Sequence, residues 1–317
     1  MIADLLPHAS LLLLGVLLAW FGGEWFVKGG VNLALWARWP TAIVGATVAA
    51  FGTSSPEMMV AIHAAQSGVP HIALGDILGS NVVNVSMVLA LVVAMAGLRT
   101  GDSSVMRDWG LALILPVLLG WLFYDGWYSR TDACILLAVF LLWMFRMLKD
   151  AREHAKAQRD SGAPHNPEPV KKTLLFILIG MGLLIGAAQL VVHGGKGVAE
   201  VLGWSDFVVG VVVVALATST PELATTLIAR MRGHDEVGLG NILGSNIFNM
   251  GVVASLVGLI RPCEVSFQEV WPALLYSSVT ILCIFPGRNS RLGRTRGFAL
   301  LVGYAVFVWL TLRSGGH

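Results

Sequence analysis

Two glutamates stand where an apolar chain rarely tolerates them. Glu57 lies in FGTSSPEMMV and Glu222 in LATSTPELAT, each directly after a proline and each within a stretch of mostly apolar and small residues. An ionisable side chain at membrane depth is costly, which makes it a functional position by default. Pro56 and Pro221 lack an N–H and displace the carbonyl four residues back, so they free the carbonyls of Gly52 and Ala217. Unwound backbone at that depth is tolerated only where it lines a cavity or the protein interior. Carboxylate, hydroxyl and carbonyl oxygens together are the ligands that hard cations such as Ca²⁺ and Na⁺ require.

Spacing points to one shared site. Thr53 and Ser54 precede Glu57 by four and three residues, so a regular helix places all three on one face. Thr218, Ser219 and Glu222 repeat that arrangement. Further on, Ser80 and Asn84 are four apart, as are Ser245 and Asn249, and Asp76 lies one turn before Ser80. Gly75, Gly79, Gly240 and Gly244 permit neighbouring helices to approach closely. Two ionised glutamates balance one Ca²⁺ or two monovalent cations. An empty site with two bare carboxylates in a low dielectric is too costly to carry across a membrane, which enforces exchange.

These two stretches are copies of each other. A shift of 165 residues lays GTSSPE (52–57) on ATSTPE (217–222) and LGDILGSNVVN (74–84) on LGNILGSNIFN (239–249). The same shift aligns Gly29-Gly30 with Gly194-Gly195, Trp39 with Trp204 and Val44-Gly45 with Val209-Gly210. A register held over this distance marks an internal duplication. Asp76 is matched by Asn241, an asymmetry that makes Asp76 either an additional acid near the site or a polar residue at a helix entrance.

The surrounding composition is that of a membrane protein. Of 317 residues 56% are hydrophobic and 13% charged, with mean hydropathy +0.75; a soluble domain carries about 25% charged residues. A net charge of +2 gives no reason to expect a nucleic-acid partner. Cys134, Cys263 and Cys283 have no CxxC spacing and read as small core residues, neither a disulfide framework nor a metal site. Leu11 to Trp20 reads as the start of the first span and not as a removable signal.

Apolar runs between breaks give ten candidate spans, near 9–36, 41–66, 71–97, 108–125, 131–148, 173–202, 206–229, 237–260, 269–286 and 297–313. The first and sixth are long enough to cross with tilt. The third and eighth are rich in glycine and small polar residues, so hydropathy alone is expected to undercall them. With both termini outside, 16 lysines and arginines fall inside, 3 outside and 2 (Lys28 and Lys196) within spans, the bias expected of ten spans. The expected fold is therefore an all-α integral membrane protein of ten transmembrane helices. It comprises a five-helix repeat over 1–148, a cytoplasmic linker over 149–172 and a second repeat over 173–317, together one transport domain. Five helices per repeat give the copies inverted topology, the plan of many secondary transporters with a midplane site between the halves.

GTSSPE with GDILGSNVVN, and ATSTPE with GNILGSNIFN, resemble the two α-repeats of the calcium/cation antiporter superfamily, most closely its sodium/calcium exchanger branch. The resemblance implies that Glu57 and Glu222 are the central Ca²⁺ ligands, assisted by Thr53 and Thr218. It implies that Ser54, Ser80, Ser219 and Ser245 line flanking monovalent sites, with Asn84 and Asn249 beside the centre. Sodium-coupled members often carry aspartate at the position of Asn249, and proton-coupled relatives lack that acid. The expected activity is therefore Ca²⁺/Na⁺ exchange in an inner or plasma membrane, with Ca²⁺/H⁺ exchange through Glu57 and Glu222 as the alternative. No cofactor, enzymatic activity or obligate protein partner is expected; the partners are Ca²⁺, monovalent cations and the bilayer.

Other readings are weaker. A channel lacks a re-entrant filter segment. An intramembrane hydrolase lacks a repeat-consistent His or Lys to activate Ser80 or Ser245. His63 and His193 are not related by the repeat, and His193 aligns with Lys28. Glu24 aligns with Gln189 and is expected to bond between helices and not to hold an ion. Trp36, Trp39, Trp204 and Trp271 sit near span ends, as interfacial anchors do.

Overall fold

The computed structural model describes residues 2–66, 68, 70–100, 103–160, 168–202, 211, 215–285 and 291–314. Trp204, Val209 and Gly210 lie outside them, as do the side chains of His63, His193 and Lys196 and residues 161–167 of the expected linker over 149–172. Helices α1 (Ile2–Ala37), α2 (Thr41–Val44), α3 (Ala50–Thr53), α4 (Ser55–Gln66), α5 (Pro70–Val83), α6 (Ala90–Ala96), α7 (Ser103–Leu122) and α8 (Arg130–Asp160) make the first half. The second half holds α9 (Val170–Leu202), α10 (Ala215–Thr218), α11 (Thr220–Met231), α12 (Asp235–Phe248), α13 (Ala254–Ile260), α14 (Phe267–Cys283) and α15 (Arg294–Ser314).

Among the described residues six helical stretches are long and apolar enough to cross a membrane: Leu6–Ala37, Ala73–Ala96, Arg130–Ala157, Val170–Ala187, Asp235–Ile260 and Arg294–Arg313. Six, not the expected ten, meet that standard, and the reasons are local. The stretch over 41–66 is cut into pieces, with a π-helical turn over Gly45–Ala49 and a break at Ser54. The stretch over 206–229 lies partly outside the described residues, and its described part is broken at Ser219. Helix α14 has only 17 residues, with Pro272 inside it, and the side chains of the first residues of α7 lie outside the described ones. The expectation that hydropathy undercalls the third and eighth spans is wrong. Both qualify, because valine, leucine and isoleucine between the glycines and asparagines outweigh them.

Those two stretches, α5–α6 and α12–α13, are also the most enclosed. Each contains a π-helical turn, over Asn84–Leu89 and Asn249–Val253, so the helices run on through a local widening and not a kink. Ile77, Val82, Val85 and Leu89 of one pack in a common core with Ile242, Ile247, Val253 and Val257 of the other. The peripheral helices instead turn large apolar side chains outward. Leu13 and Phe21 on α1, Leu142 and Phe145 on α8, Leu178 on α9 and Trp309 on α15 are all exposed. Such a surface is sheltered from water only by lipid.

Helices α1 and α9 lie against each other and pack through glycine: a β-carbon at Gly180 would sit 2.6 Å from the backbone nitrogen of Phe26. Glu24 leaves α1 to pair with Arg232, an interhelical contact of the expected kind. At the start of α9, Lys172 donates to Glu168 at 2.8 Å and holds that carboxyl below the usual carboxylate range. The cysteines correct one expectation: Cys263 is buried, but Cys134 and Cys283 are exposed, on helix faces turned away from the core.

Four two-residue strands, not anticipated from sequence, tie the halves together. Strands β1 (Leu98–Arg99) and β4 (Arg291–Leu292) pair antiparallel, as do β2 (Trp127–Tyr128) and β3 (Cys263–Glu264). Every pair joins one half to the other, and the 165-residue shift turns one pair into the other within a residue of register. Around them, Asp235 accepts from the Arg99 N–H at 2.9 Å and from Arg230 at 2.9 and 3.1 Å, while Arg230 also donates to the Ala96 carbonyl at 3.1 Å.

Candidate functional site

The helical ladder breaks at the same place in both halves, one residue before the helix that carries the Pro-Glu pair. Ser54 has φ −86° and ψ 9°, and Ser219 has φ −80° and ψ 6°. Pro56 and Pro221 cannot donate, so the chain resumes helical bonding only beyond them: Met58 donates to the Ser54 carbonyl at 3.1 Å and Leu223 to that of Ser219 at 3.1 Å. The regular face expected of Thr53, Ser54 and Glu57 is thereby lost. Their hydroxyls turn across the interface instead of toward their own glutamate.

All eleven residues singled out from the sequence are fully buried, among them Asp76, which is not at a helix entrance. Four of them meet in reciprocal pairs. Thr53 Oγ1 lies 3.4 Å from Ser245 Oγ, and its mate Thr218 Oγ1 lies 3.2 Å from Ser80 Oγ. Thr53 donates to Asn241 Oδ1 at 3.1 Å, and Thr218 to Asp76 Oδ1 at 3.3 Å. Asp76 therefore belongs to the hydroxyl cluster, where it also accepts from Ser80 at 3.4 Å.

The two glutamates differ. Glu222 Oε1 accepts from Ser54 at 3.1 Å and from Ser245 at 3.2 Å, leaving Oε2 open. Neither carboxylate oxygen of Glu57 accepts from another described residue. The Ser219 hydroxyl and the Oδ1 atoms of Asn84 and Asn249 are likewise buried without a partner. Buried oxygens are normally satisfied, so a group of open ones calls for an explanation. The Asn241 Nδ2 and the Ser219 hydroxyl are open donors in the same cluster; the open carboxylate and amide oxygens of Glu57, Glu222, Asn84 and Asn249 only accept, and that set of charged and neutral oxygens suits a hard cation in transit. No cluster of three or more His, Cys, Asp or Glu suited to a resident metal occurs among the described residues.

Sequence reasoning passed over three participants. Asn81 and Asn246 exchange bonds, Asn81 Nδ2 to the Asn246 carbonyl at 3.0 Å and Asn246 Nδ2 to the Asn81 carbonyl at 3.2 Å. Asn241 receives Thr53. The signal for the first pair was present in the repeated GSN triplets, whose serines alone were read as chemical. Close packing holds the cluster: a β-carbon at Gly244 would lie 2.5 Å from the Ala46 carbonyl oxygen, and one at Gly79 would lie 2.8 Å from that of Val211. Gly75, by contrast, has ordinary clearance, 3.8 Å to Val211.

The chain as a whole has counterparts among known proteins. The family described as sodium/calcium exchanger protein matches residues 8–149 and 172–313, one block in each half. The inner membrane protein YrbG of Escherichia coli (strain K12) is 30% identical over 317 residues, covering 97% of this chain and 97% of YrbG. The sodium/calcium exchanger MaX1 of Methanosarcina acetivorans is 25% identical over 338 residues, covering 94% of this chain and 96% of MaX1. Among solved structures, the sodium-calcium exchanger NCX_Mj soaked with Na⁺ and Sr²⁺ superposes with a TM-score of 0.79 at 28% identity, covering 95% of this chain and 98% of NCX_Mj. With both halves matched, the chain belongs to the sodium/calcium exchanger protein family, as a multi-pass membrane cation antiporter and not an enzyme.

Proposed function

We propose that this protein is a secondary active antiporter exchanging Ca²⁺ for Na⁺ by alternating access. The central ligands are Glu57 and Glu222, with Thr53, Thr218, Ser54, Ser219, Ser80, Ser245, Asn84, Asn249 and Asp76 supplying or positioning the remaining oxygens. The observation that carries this reading is the pair of carboxylates, one per half, in a fully buried cluster where Glu57 has no hydrogen-bonding partner among the described residues. A cation supplies what that carboxylate lacks, and an ion-free site is disfavoured in a low dielectric. MaX1 and NCX_Mj, by their names sodium/calcium exchangers, support the choice of ions.

The transport domain is read as ten spans in two inverted repeats, 1–148 and 173–317, joined by a cytoplasmic linker over 149–172, with both termini outside. The strand pairs support this arrangement. Counting ten spans puts Leu98 and Arg291 on the inner face and Trp127 and Glu264 on the outer one, as their pairing requires. Ion pairs Arg107–Asp150 and Arg230–Asp235 fall on one face under the same count. An inner or plasma membrane is the proposed location, in keeping with YrbG.

One observation favours proton coupling as a second reading. Asn249 donates its amide to Asn81 Oδ1 at 3.1 Å, so this position is fitted to a neutral group and the cluster's acids are Glu57, Glu222 and Asp76. Radiolabelled Ca²⁺ uptake into proteoliposomes separates the two. Uptake driven by an outward Na⁺ gradient supports sodium coupling, and uptake driven only by an outward H⁺ gradient replaces it. Wild-type exchange in both Glu57→Gln and Glu222→Gln would remove the site itself.

A further inference from the structure

The amides at the interface admit a single orientation, and it is imposed from outside the ligand set. Asn81 Nδ2 is committed to a backbone carbonyl, that of Asn246. A carbonyl oxygen can only accept, so the amide of Asn81 cannot be turned around without placing oxygen against oxygen. Its Oδ1 is then the atom that faces Asn249, and the nitrogen of Asn249 must meet it, as it does at 3.1 Å. The same logic runs in the other half. Asn246 Nδ2 is fixed on the Asn81 carbonyl at 3.2 Å, and its Oδ1 accepts from Asn84 Nδ2 at 3.0 Å. With their nitrogens taken, Asn84 and Asn249 are left with Oδ1 atoms that are buried and have no partner among the described residues.

We infer that Asn81 and Asn246 are positioning residues that set the amides of Asn249 and Asn84, respectively, so that each turns its oxygen toward the cation. The control is crossed: the residue that orients a ligand belongs to the opposite half of the protein. Both orienting residues are almost fully buried, 1% and 3% exposed, so water cannot replace their bonds. Each half thus presents a neutral ligand only when seated against the other. This inference rests on the reading of the cluster as a Ca²⁺ site.

The test is a pair of crossed mutant cycles, with Ca²⁺ itself as titrant in Na⁺-free buffer, read by calorimetry on the full-length protein in detergent. Asn249→Ala and Asn84→Ala are each expected to weaken Ca²⁺ binding on the order of tenfold, and Asn81→Ala and Asn246→Ala several-fold. The double variant at 81 and 249 is expected to bind like Asn249→Ala alone, and that at 246 and 84 like Asn84→Ala alone. The uncrossed doubles, 81 with 84 and 246 with 249, are expected to multiply the single effects. A purely structural role would make crossed and uncrossed doubles behave alike, which overturns the inference. Where alanine prevents folding, Asn81→Ser and Asn246→Ser remove the amides with a smaller change in volume; loss of folded protein from these too overturns it. Glu57→Gln separates the two levels. If it abolishes Ca²⁺ binding while the cycles fail, only the inference falls, whereas Ca²⁺ binding that survives it removes the underlying site.

Discussion

Adding one methyl group at Gly244 should disable the site without touching any ligand. A β-carbon there would lie 2.5 Å from the Ala46 carbonyl oxygen, 2.6 Å from its Cα and 2.8 Å from its carbonyl carbon. All three are backbone atoms, so no side-chain rotation relieves the contact. Reaching ordinary contact at about 3.4 Å requires the segment carrying Ala46 to retreat by about 0.9 Å, the difference between the two distances. That segment leads through α3 to Thr53 and Ser54, whose bonds to Asn241, Ser245 and Glu222 are already 3.1 to 3.4 Å long. A retreat of this size breaks them. Overpacking of this kind costs about 1–3 kcal/mol, and each 1.4 kcal/mol is about tenfold in affinity. Gly244→Ala is therefore expected to weaken Ca²⁺ binding by roughly tenfold or more and to lower the melting temperature in detergent. Gly79→Ala, its repeat mate, meets the Val211 oxygen at 2.8 Å and should do the same to a smaller extent. Gly182→Ala, with nothing within 4 Å of its added carbon, is the neutral control. Calorimetric titration and a fluorescence-detected thermal shift read all three. If Gly244→Ala binds Ca²⁺ as Gly182→Ala does, backbone approach does not hold the cluster and the reasoning fails.

Three further outcomes are expected. Asp235→Asn weakens the contact of both carboxylate oxygens with Arg230 Nη1 within the second half, and should cost about 2 kcal/mol, seen as a lowered melting temperature with Ca²⁺ affinity unchanged. Glu24→Gln removes an ion pair whose side chains are 41% and 58% exposed, so stability should change by less than about 1 kcal/mol; a larger loss would show the pair to be shielded from solvent. Tyr128→Phe deletes a fully buried hydroxyl donating to the Ala254 carbonyl at 2.8 Å and should cost about 1–2 kcal/mol, measured by thermal shift or by urea unfolding in detergent.

Much of this architecture was legible in the residues. The 165-residue register identified Glu57 with Glu222 and Ser80 with Ser245 as mates, and the structure buries all eleven chosen residues at one interface. What the sequence concealed was direction. Spacing of three and four residues suggested that Ser54 faces Glu57, but the break at Ser54 sends its hydroxyl to Glu222. A proline announces that a ladder will fail without saying where the freed side chains will go. The π-helical turns at Asn84 and Asn249 were invisible for a similar reason, because a widened turn has no composition of its own. The strand pairs were hidden by length: two residues cannot show an alternation. Asn81 and Asn246 were missed because their partners are backbone atoms of the other half, and no one-dimensional spacing encodes a contact between chain segments 165 residues apart.

The strand pairs, like the 165-residue register, relate positions in one half to counterparts in the other. Substituting a residue and then its counterpart becomes an internal comparison, free of differences in fold, lipid or preparation. Where two such variants agree, the duplication still governs. Where they diverge, as Asp76 and Asn241 or Glu57 and Glu222 should, the divergence measures how unequal the two halves have become since the copies separated. A scan conducted in pairs would therefore chart how far the two halves have drifted apart, residue by residue, from the arithmetic difference between twins.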